Sequence, residues 1–183
     1  DFVAAYLQGD LLPGEVVWCY PPPGHEHNYP PGTVMKIIKP VYGMAQAGRR
    51  WQRTIYPWFL EHGFTQAKSD DSVFMLKRSV DTPSGPRHET LVVGVYVDDL
   101  FCLYSHDVEH SLYATFTAAL QKRWSVDDEG PVSDLLGIEI KREGRMVSLK
   151  QTAYVAKLMA RFCPDGCPAS HQATKTPCDI DLV

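Results

Sequence analysis

The chain has 183 residues, of which 44% are apolar, and this is enough for one ordinary domain with a buried core. No apolar run approaches the roughly 20 residues that a membrane-spanning helix needs, and the first residues do not resemble a signal peptide. The net charge of −4 argues weakly against duplex binding, which usually requires a basic excess. We therefore expect a globular chain without membrane association. Because it starts at Asp1 and moves straight into an apolar segment, we interpret it as an excised fragment.

The basic residues are clustered, so the net charge alone does not describe the surface. Solvated helix and loop faces are the simpler explanation of such clusters, and local contacts with nucleic acid stay open as the alternative. The clusters are Lys36 and Lys39; Arg49, Arg50 and Arg53; Lys122 and Arg123; and Lys141, Arg142 and Arg145.

The five cysteines are scattered and odd in number, which is typical of a reducing compartment rather than of a disulfide framework. Their spacing near the carboxyl end differs from that of usual zinc motifs, and the prolines between them indicate a loop. Zinc is therefore the weaker of two interpretations there. The four potential ligands are Cys163, Cys167, His171 and Cys178.

The amino-terminal third predicts little regular structure. Residues 1–8 alternate imperfectly and predict a strand end that breaks into a helical turn. Prolines dominate residues 11–33, which predicts an elaborated loop with a short strand at 15–20. A second short, β-prone run follows at 34–38.

A long helix is predicted after the turn at 42–44. Gly63 is expected to end this helix, and Pro57 should kink or shorten it because proline lacks a backbone N–H. The residues spaced as one helical face are Trp51, Ile55, Trp58, Phe59 and His62.

The middle of the chain predicts three strands. Residues 72–76 form the first, residues 79–89 look like a loop containing proline, glycine and serine, and residues 90–96 and 100–104 form two apolar strands. These two strands flank Val97-Asp98-Asp99, which therefore lies at the tip of a hairpin.

An amphipathic helix is predicted next, with Ser105 and Asp107 as candidate N-cap residues and with Lys122 and Arg123 near its carboxyl end. Its apolar stripe consists of Val108, Leu112, Phe116, Leu120 and Trp124.

The last segment predicts a hairpin and a helix. Strands at 135–141 and 146–150 surround a turn at 143–145, and the helix begins at Thr152. Hairpins interrupted by helices indicate an α+β fold, with antiparallel sheet backed by helices. The apolar residues of the helix expected to face inward are Val155, Leu158, Met159 and Phe162.

Asp98 and Asp99 are the strongest candidates for chemistry. Adjacent carboxylates raise each other's pKa, so a cation is expected beside them, and Mg²⁺ prefers such oxygen ligands. Two aspartates at a hairpin tip are, however, more often ordinary polar turn residues than catalytic ones.

Several segments around these residues carry a resemblance. Residues 91–103 contain Tyr-Val-Asp-Asp between two apolar runs, and residues 1–9 place an aspartate five positions before a tyrosine. Together with residues 39–51, they resemble the successive motifs of reverse transcriptases in their copia-type form. Leu136-Gly137-Ile138-Glu139-Ile140 is similar to the family's primer-gripping hairpin, and Thr176-Pro177 is similar to its segment after the thumb. The order and spacing of these motifs resemble the copia (Pseudoviridae) branch of retrotransposons over essentially the whole chain.

The resemblance implies an RNA-directed DNA polymerase core that transfers nucleotides from dNTPs to a primer 3′-hydroxyl. Asp1, Asp98 and Asp99 would be its catalytic carboxylates and would ligate two Mg²⁺ ions, with Mn²⁺ as the alternative. Tyr6 would leave no room for a 2′-hydroxyl, whereas a plain core aromatic is its ordinary interpretation. The implied dNTP-binding residues are Phe2, Tyr6, Gly43 and Tyr96, and the implied nucleic-acid contacts are Arg49, Arg50, Arg53, Leu136 and Gly137.

The resemblance also implies a polymerase palm with part of the fingers and the start of the thumb. Residues 1–10 and 44–151 would be palm, residues 11–43 a fingers-like insertion, and residues 152–183 the start of the thumb or connection. The implied partners are a primed RNA or DNA template, dNTPs, and the integrase and RNase H regions of the same polyprotein. The implied location is a cytoplasmic virus-like particle with later access to the nucleus.

Some features depart from the family. Gly48 stands where many copia-type sequences have proline, residues 127–133 contain no lysine to protonate pyrophosphate, and the family's triphosphate-binding fingers residues precede the position of Asp1. The alternative function is therefore an inactive or domesticated copy that binds nucleic acid or protein. A palm-type nucleotidyl cyclase ranks far behind, because it does not predict the motif around Gly43.

Overall fold

A computed structural model of the protein describes residues 1–106 and 108–166. The chain divides into two compact units, Asp1–Glu129 and Gly130–Val183. The border between them falls inside the segment 44–151 that was assigned to the palm from the sequence. Antiparallel sheets and helices make up both units, which confirms a mixed α/β architecture. Among the described residues, no helix is long and apolar enough to span a membrane.

The amino-terminal segment changes from extended to helical within a few residues. Phe2 pairs with Val126 in an isolated antiparallel bridge, and a one-turn helix α1 follows at Ala5–Gln8. Between them, Ala4 has a left-handed conformation with φ of 53°, which most side chains avoid. The predicted strand end that breaks into a helical turn is confirmed.

A small two-stranded sheet follows the first helix. Strands β1 (Val17–Cys19) and β2 (Met35–Ile37) pair antiparallel, and a short 3₁₀ helix at Glu26–Asn28 lies in the connection between them. Both strands were predicted, although each is shorter than the expected ranges 15–20 and 34–38.

Helix α2 (Ala47–Glu61) provides much of the core of the first unit. It continues past Pro57, so of the predicted kink or shortening the shortening is wrong, and the kink stays a prediction. Pro57 and Arg53 are both exposed, and water can therefore bind the Arg53 carbonyl that proline leaves without a donor. Gly63 follows the helix with φ of 84°, as expected for a C-terminal stop. His62 is exposed, and its ring stacks on Trp58 at 3.9 Å.

The main sheet has four antiparallel strands in chain order, β3 (Thr65–Gln66), β4 (Val73–Thr82), β5 (Gly85–Tyr96) and β6 (Asp99–Tyr104). The expected loop at 79–89 is wrong. β4 and β5 continue as one long hairpin that closes at Pro83 and Ser84, where Thr82 pairs with Gly85. The two strands predicted at 90–96 and 100–104 are confirmed.

A buried ion pair network explains why the polar part of this hairpin is ordered. The Glu89 carboxylate, 2% exposed, accepts hydrogen bonds from Arg78 and Arg87 at 2.7 Å each and from the backbone N–H of Leu112 at 2.8 Å. Burial alone raises the pKa of Glu89, and these donors outweigh it, so the pKa lies below its ordinary value. Arg87 and Glu89, which lie in the predicted loop, are therefore paired inside the sheet, and Arg78 of β4 pairs with the same carboxylate.

Helix α3 (Leu112–Arg123) begins later than predicted, because Ser111 caps it by accepting the N–H of Ala114. Ser105 instead accepts the N–H of Thr90, and Asp107 lies outside the described residues. Val108 is exposed and precedes the helix. Lys122 and Arg123 lie in the last turn as predicted. The buried part of the predicted stripe is Leu112, Phe116, Leu120 and Trp124.

The core of the first unit is largely aromatic. Phe59 of α2 stacks on Phe74 of β4 with ring centroids 4.5 Å apart, and Phe116 of α3 lies 5.9 Å from Phe59. Two helices and the sheet therefore share one aromatic contact region. The buried cluster consists of Phe2, Ala5, Trp51, Ile55, Trp58, Phe59, Phe64, Phe74, Leu91, Val93, Val95, Leu112, Phe116, Leu120 and Trp124.

The second unit is a three-stranded antiparallel sheet followed by a helix. The elements are β7 (Asp134–Leu135), β8 (Ile138–Glu143), β9 (Met146–Lys150) and α4 (Thr152–Phe162). The turn between β8 and β9 and the start of α4 at Thr152 are confirmed.

Two predictions for the second unit are wrong. The single strand expected at 135–141 is split, because Leu136 and Gly137 have φ of 54° and 77° and form a turn. None of the described residues from 130 to 166 is buried. The described part of this unit therefore has no buried core against which the apolar face of α4 could pack. The residues that were expected to face inward are exposed: Val155, Leu158, Met159 and Phe162.

Candidate active site

The backbone brings Asp1 next to the Asp98 hairpin. The N–H of Phe2 donates to the Asp98 carbonyl at 2.8 Å, and on the other side Val3 donates to the Ser125 carbonyl at 3.1 Å. The Gln8 side chain closes this arrangement by bonding both backbone groups of Ser125. The first residues thus lie between the hairpin tip and the segment after α3, and residues far apart in sequence become neighbours.

The hairpin tip has an unusual backbone. β5 ends at Tyr96 and β6 begins at Asp99, so Val97 and Asp98 form a two-residue loop. Loops of this length need a positive φ at their first residue, and Val97 has φ of 54°. A β-branched residue in that conformation costs about 1–3 kcal/mol. The indole N–H of Trp51 donates to the Val97 carbonyl at 2.8 Å and holds the loop in place.

The two oxygens of the Asp98 carboxylate differ in their surroundings. Oδ2 accepts a hydrogen bond of 2.7 Å from the Tyr42 hydroxyl, whereas Oδ1 is buried and has no hydrogen-bond partner. A buried polar atom without a partner costs about 1–3 kcal/mol. A cation near Oδ1 would remove this cost, so the residue fits a metal ligand.

The candidate ligands are carboxylate oxygens, which Mg²⁺ prefers, but they do not surround a metal position on all sides. Asp1 and Asp99 are exposed, and in residues 1–106 and 108–166 no three His, Cys, Asp or Glu side chains converge to hold a metal ion. Mg²⁺ commonly takes one or two carboxylates and completes its coordination with water and substrate phosphates. Asp98, with its buried Oδ1 lacking a hydrogen-bond partner, and the exposed Asp99 beside it offer oxygen atoms of the kind that such a partial site uses.

Tyr6 is linked to the carboxylates through Tyr42. The Tyr6 and Tyr42 rings lie 4.5 Å apart, and the Tyr6 hydroxyl would lie 3.4 Å from a Cβ at Gly48. Burial, followed by the hydrogen bond and negative charge of Asp98, raises the pKa of Tyr42 to about 12. The phenol therefore stays protonated near neutral pH and remains a donor to Asp98.

The other residues proposed to contact a nucleotide have different environments. The Phe2 side chain is buried against Trp51 at 4.9 Å, so it packs in the core and only its backbone faces the hairpin. Gly43 has φ of 92°, a conformation that disfavours any side chain, and the space around it is open. Tyr96 is 58% exposed at the end of β5.

The three arginines on α2 are not equivalent. Arg50 binds Glu15 through Nε at 2.7 Å and through Nη2 at 3.1 Å, and both side chains are mostly buried. The hydrogen bond from Arg50, followed by that from the Leu12 N–H, lowers the pKa of Glu15 to about 2. Arg50 thus ties the preceding loop to α2. Arg49 and Arg53 are exposed.

The remaining sequence-based candidates lie in the second unit. Leu136 is 55% exposed, and the Gly137 N–H donates to the Asp134 side chain at 3.1 Å. Cys163 is described, whereas its potential zinc-ligand partners Cys167, His171 and Cys178 lie outside the described residues.

Sequence reasoning did not identify two residues that shape the site. Tyr42 precedes Gly43 within the motif at 39–51, which was the available signal for it. Trp51 was predicted to lie on a buried helix face, but no periodicity reveals that its N–H bonds the Val97 carbonyl. Both contacts depend on tertiary structure.

Comparison with known proteins gives a consistent result. The family profile described as "Reverse transcriptase (RNA-dependent DNA polymerase)" matches residues 1–175. The retrovirus-related Pol polyproteins from transposons RE2 and RE1 of Arabidopsis thaliana are 33% identical over 163 residues and 32% over 161, each covering 88% of the chain. The Pol polyprotein from transposon TNT 1-94 of Nicotiana tabacum is 27% identical over 164 residues, again covering 88%.

The chain spans only about a tenth of these relatives, 10%, 10% and 11% of their respective lengths. No solved structure gives a significant match. The family profile nevertheless covers nearly the whole chain, and the plant relatives are Pol polyproteins of copia-type transposons. The chain therefore belongs to the reverse transcriptase (RNA-dependent DNA polymerase) family and is a fragment of the copia type.

Proposed function

We propose that the chain is the catalytic core of an RNA-directed DNA polymerase, with Asp1, Asp98 and Asp99 as its metal-binding carboxylates. The observation that carries the proposal is the hydrogen bond from the Phe2 N–H to the Asp98 carbonyl. It brings an aspartate from the start of the chain beside a hairpin whose own carboxylate has a buried oxygen without a partner.

Two magnesium ions, or manganese, would activate the primer 3′-hydroxyl and neutralise the triphosphate in an in-line displacement that releases pyrophosphate. The protein's part is to hold the carboxylates in a fixed arrangement. The Trp51 and Phe2 hydrogen bonds immobilise the Val97–Asp98 loop, and Asp99 stays open to solvent. A rigid loop reduces the reorganisation needed when substrate binds.

The neighbouring side chains suit recognition of a primed template and a deoxynucleotide. The Tyr6 ring would exclude a 2′-hydroxyl, and the backbone at Gly43 has open space in which a nucleotide fits. Tyr96 is exposed beside the carboxylates and would contact the same nucleotide. Because the Phe2 side chain is buried, Phe2 would contribute to this binding site through its backbone. Arg49 and Arg53 are exposed and would contact template phosphates, whereas Arg50 acts through its pairing with Glu15.

The wider context of this proposal rests on the resemblance to copia-type reverse transcriptases. We assign the main sheet and its helices to a palm, residues 11–43 to a fingers-like part, and the second unit to the primer-gripping hairpin, with Leu136 and Gly137 at its turn, and the start of the thumb. The chain would act within a Pol polyprotein beside integrase and RNase H regions, in a cytoplasmic virus-like particle that later gains access to the nucleus.

The test uses the reverse-transcriptase region of the polyprotein that contains this chain, on a primed RNA template with Mg²⁺. We expect Asp98→Asn to reduce primer extension at least about 1,000-fold, because it removes a metal-binding charge that no neighbour replaces. Its circular dichroism spectrum and template affinity should stay close to those of the unmodified protein.

The matched control is Asp81→Asn, which removes the same charge from an exposed position on β4 and should leave extension unchanged. Full activity in Asp98→Asn would refute the metal-site assignment. If the unmodified region binds primed template but never extends it, the non-catalytic binding function replaces the polymerase.

A further inference from the structure

Tyr42 is the side chain that contacts both halves of the proposed site. Its hydroxyl donates to Asp98 Oδ2 at 2.7 Å, and its ring lies 4.5 Å from the ring of Tyr6. No role was assigned to Tyr42 from the sequence motifs, and the comparisons assign it none.

We propose that Tyr42 is a positioning residue with two roles. Its hydroxyl fixes the metal-binding carboxylate of Asp98, and its ring supports Tyr6, which we call the gate because its ring would exclude a 2′-hydroxyl. The inference rests on the proposed polymerase function and adds a specific residue to it. Tyr42 itself does not need to contact the reacting atoms.

The Tyr42 hydroxyl restricts the orientation of the Asp98 carboxylate. A short O–H···O⁻ bond to an ionised acceptor is among the stronger hydrogen bonds in proteins. With Oδ2 held by Tyr42, rotation of the carboxylate is restricted and Oδ1 becomes the oxygen left for a cation. Oδ2 keeps further lone pairs, so the Tyr42 bond and metal coordination are compatible.

The Tyr42 ring supports the Tyr6 ring. A gate excludes a 2′-hydroxyl only if its ring cannot move aside, and Tyr6 has Tyr42 against its face and Gly48 near its hydroxyl. Gly48 has no side chain with which to press on Tyr6. The Tyr42 ring is therefore the contact that limits movement of Tyr6 on that side.

These two roles can be separated by substitution. Tyr42→Phe keeps the ring and removes the hydroxyl, whereas Tyr42→Leu removes both. Tyr56→Phe is the matched control, because Tyr56 donates to Ser72 Oγ at 3.1 Å and packs on Phe74, away from the carboxylates. Tyr6→Ala sets the size of the effect expected from complete loss of the gate.

The experiment measures two quantities in the reverse-transcriptase region of the polyprotein. The first is Mn²⁺ affinity without nucleic acid or nucleotide, by electron paramagnetic resonance. The second is the ratio of ribonucleotide to deoxynucleotide incorporation. We expect Tyr42→Phe to weaken Mn²⁺ binding about tenfold, as loss of a hydrogen bond to a charged group predicts, with an unchanged incorporation ratio. Tyr42→Leu should weaken Mn²⁺ binding similarly and also raise the ratio towards that of Tyr6→Ala.

Unchanged or tighter Mn²⁺ binding in Tyr42→Phe would overturn the positioning role, and an unchanged incorporation ratio in Tyr42→Leu would overturn the support of Tyr6. Mn²⁺ binding by Asp98→Asn shows whether a negative result with the Tyr42 variants refutes only this inference or the proposed metal site as well. If the unmodified protein binds Mn²⁺ and Asp98→Asn abolishes the binding, a negative Tyr42 result refutes the inference alone. If Asp98→Asn binds Mn²⁺ as tightly as the unmodified protein, both the metal site and the inference fail.

Discussion

At the scale of single residues, Glu89 shows how a buried charge becomes part of the fold. Its carboxylate is 2% exposed and accepts bonds from Arg78, Arg87 and the Leu112 N–H. The pKa of Glu89 is lower in the folded protein than its ordinary value of 4.5. This contribution to stability is therefore complete above pH 4.5 or so and is lost as the pH falls through the lowered pKa.

We expect Glu89→Gln to lower the free energy of unfolding at neutral pH by about 2–4 kcal/mol, because two arginines lose their anionic partner in a buried place. Urea unfolding at several pH values measures this loss. The difference between the variant and the unmodified protein should shrink as the pH falls below 4.5, since protonated Glu89 is also neutral.

The control for this prediction is Glu143→Gln, which breaks the Lys141–Glu143 pair, whose side chains are 68% and 57% exposed. Exposed pairs contribute little, so the expected change is under about 0.5 kcal/mol. Equal losses in the two variants would show that burial of Glu89 does not matter.

Single residues also show what sequence reasoning can reach at the site. The Asp98–Asp99 pair at a hairpin tip and the aspartate and tyrosine at positions 1 and 6 were identifiable from local pattern and family resemblance. The Tyr42 bond to Asp98 joins positions 56 residues apart, and it depends on how the segment before α2 lies against the hairpin. Local sequence contains no signal for such a contact.

At the scale of elements, α2 and the β5–β6 hairpin are joined by one indole. Trp51 is 1% exposed, and its N–H bonds the Val97 carbonyl of the strained loop. Trp124 belongs to the same aromatic cluster, 6.0 Å from Trp51, but its indole nitrogen is buried without a partner. The two tryptophans therefore differ in hydrogen bonding while sharing a similar apolar environment.

We expect Trp51→Phe to lower the free energy of unfolding by about 1–3 kcal/mol more than Trp124→Phe does. Both changes remove similar volume, but only the first leaves the Val97 carbonyl without its donor. Thermal or denaturant unfolding of the two variants provides the comparison. Amide hydrogen exchange at Val97 to Asp99 should also quicken in Trp51→Phe. Equal stability of the variants would show that the bond does not hold the loop.

Helices and strands were predictable from sequence where the spacing of apolar residues shows which side of the element is buried. The buried faces of α2 and α3 and the two strands around Asp98 followed from periodicity, because each has one side in the core. The polar half of the β4–β5 hairpin did not, since Arg87 and Glu89 look like loop residues until their pairing with each other and with Arg78 is known. The start of α3 was also missed, because Ser105, Asp107 and Ser111 are equally suitable caps by sequence.

At the scale of the whole molecule, the two units differ in what holds them together. Every residue of the buried cluster lies between Phe2 and Trp124, within the first unit. The described part of the second unit has ladder hydrogen bonds but no buried residue. The α+β class was predictable because it depends on the order of elements, whereas the division at residue 129 depends on which of them share a core.

We expect a fragment of residues 1–129 to fold cooperatively, with a melting temperature within about 5 °C of the full chain, because it retains the whole buried cluster. Calorimetry and circular dichroism of the two proteins test this. A fragment of residues 1–111 is the control, and it should not fold because it lacks Phe116, Leu120 and Trp124. Failure of residues 1–129 to fold would show that the second unit stabilises the first.

The distribution of tryptophans has a practical consequence. Trp51, Trp58 and Trp124 are at most 8% exposed and lie within one cluster, whereas Trp18 is 58% exposed. The emission of the cluster is thus separable from that of Trp18, which iodide can quench. Because the Trp51 indole bonds the residue that precedes Asp98, we expect the combined fluorescence of the cluster to change when the loop that carries Asp98 moves.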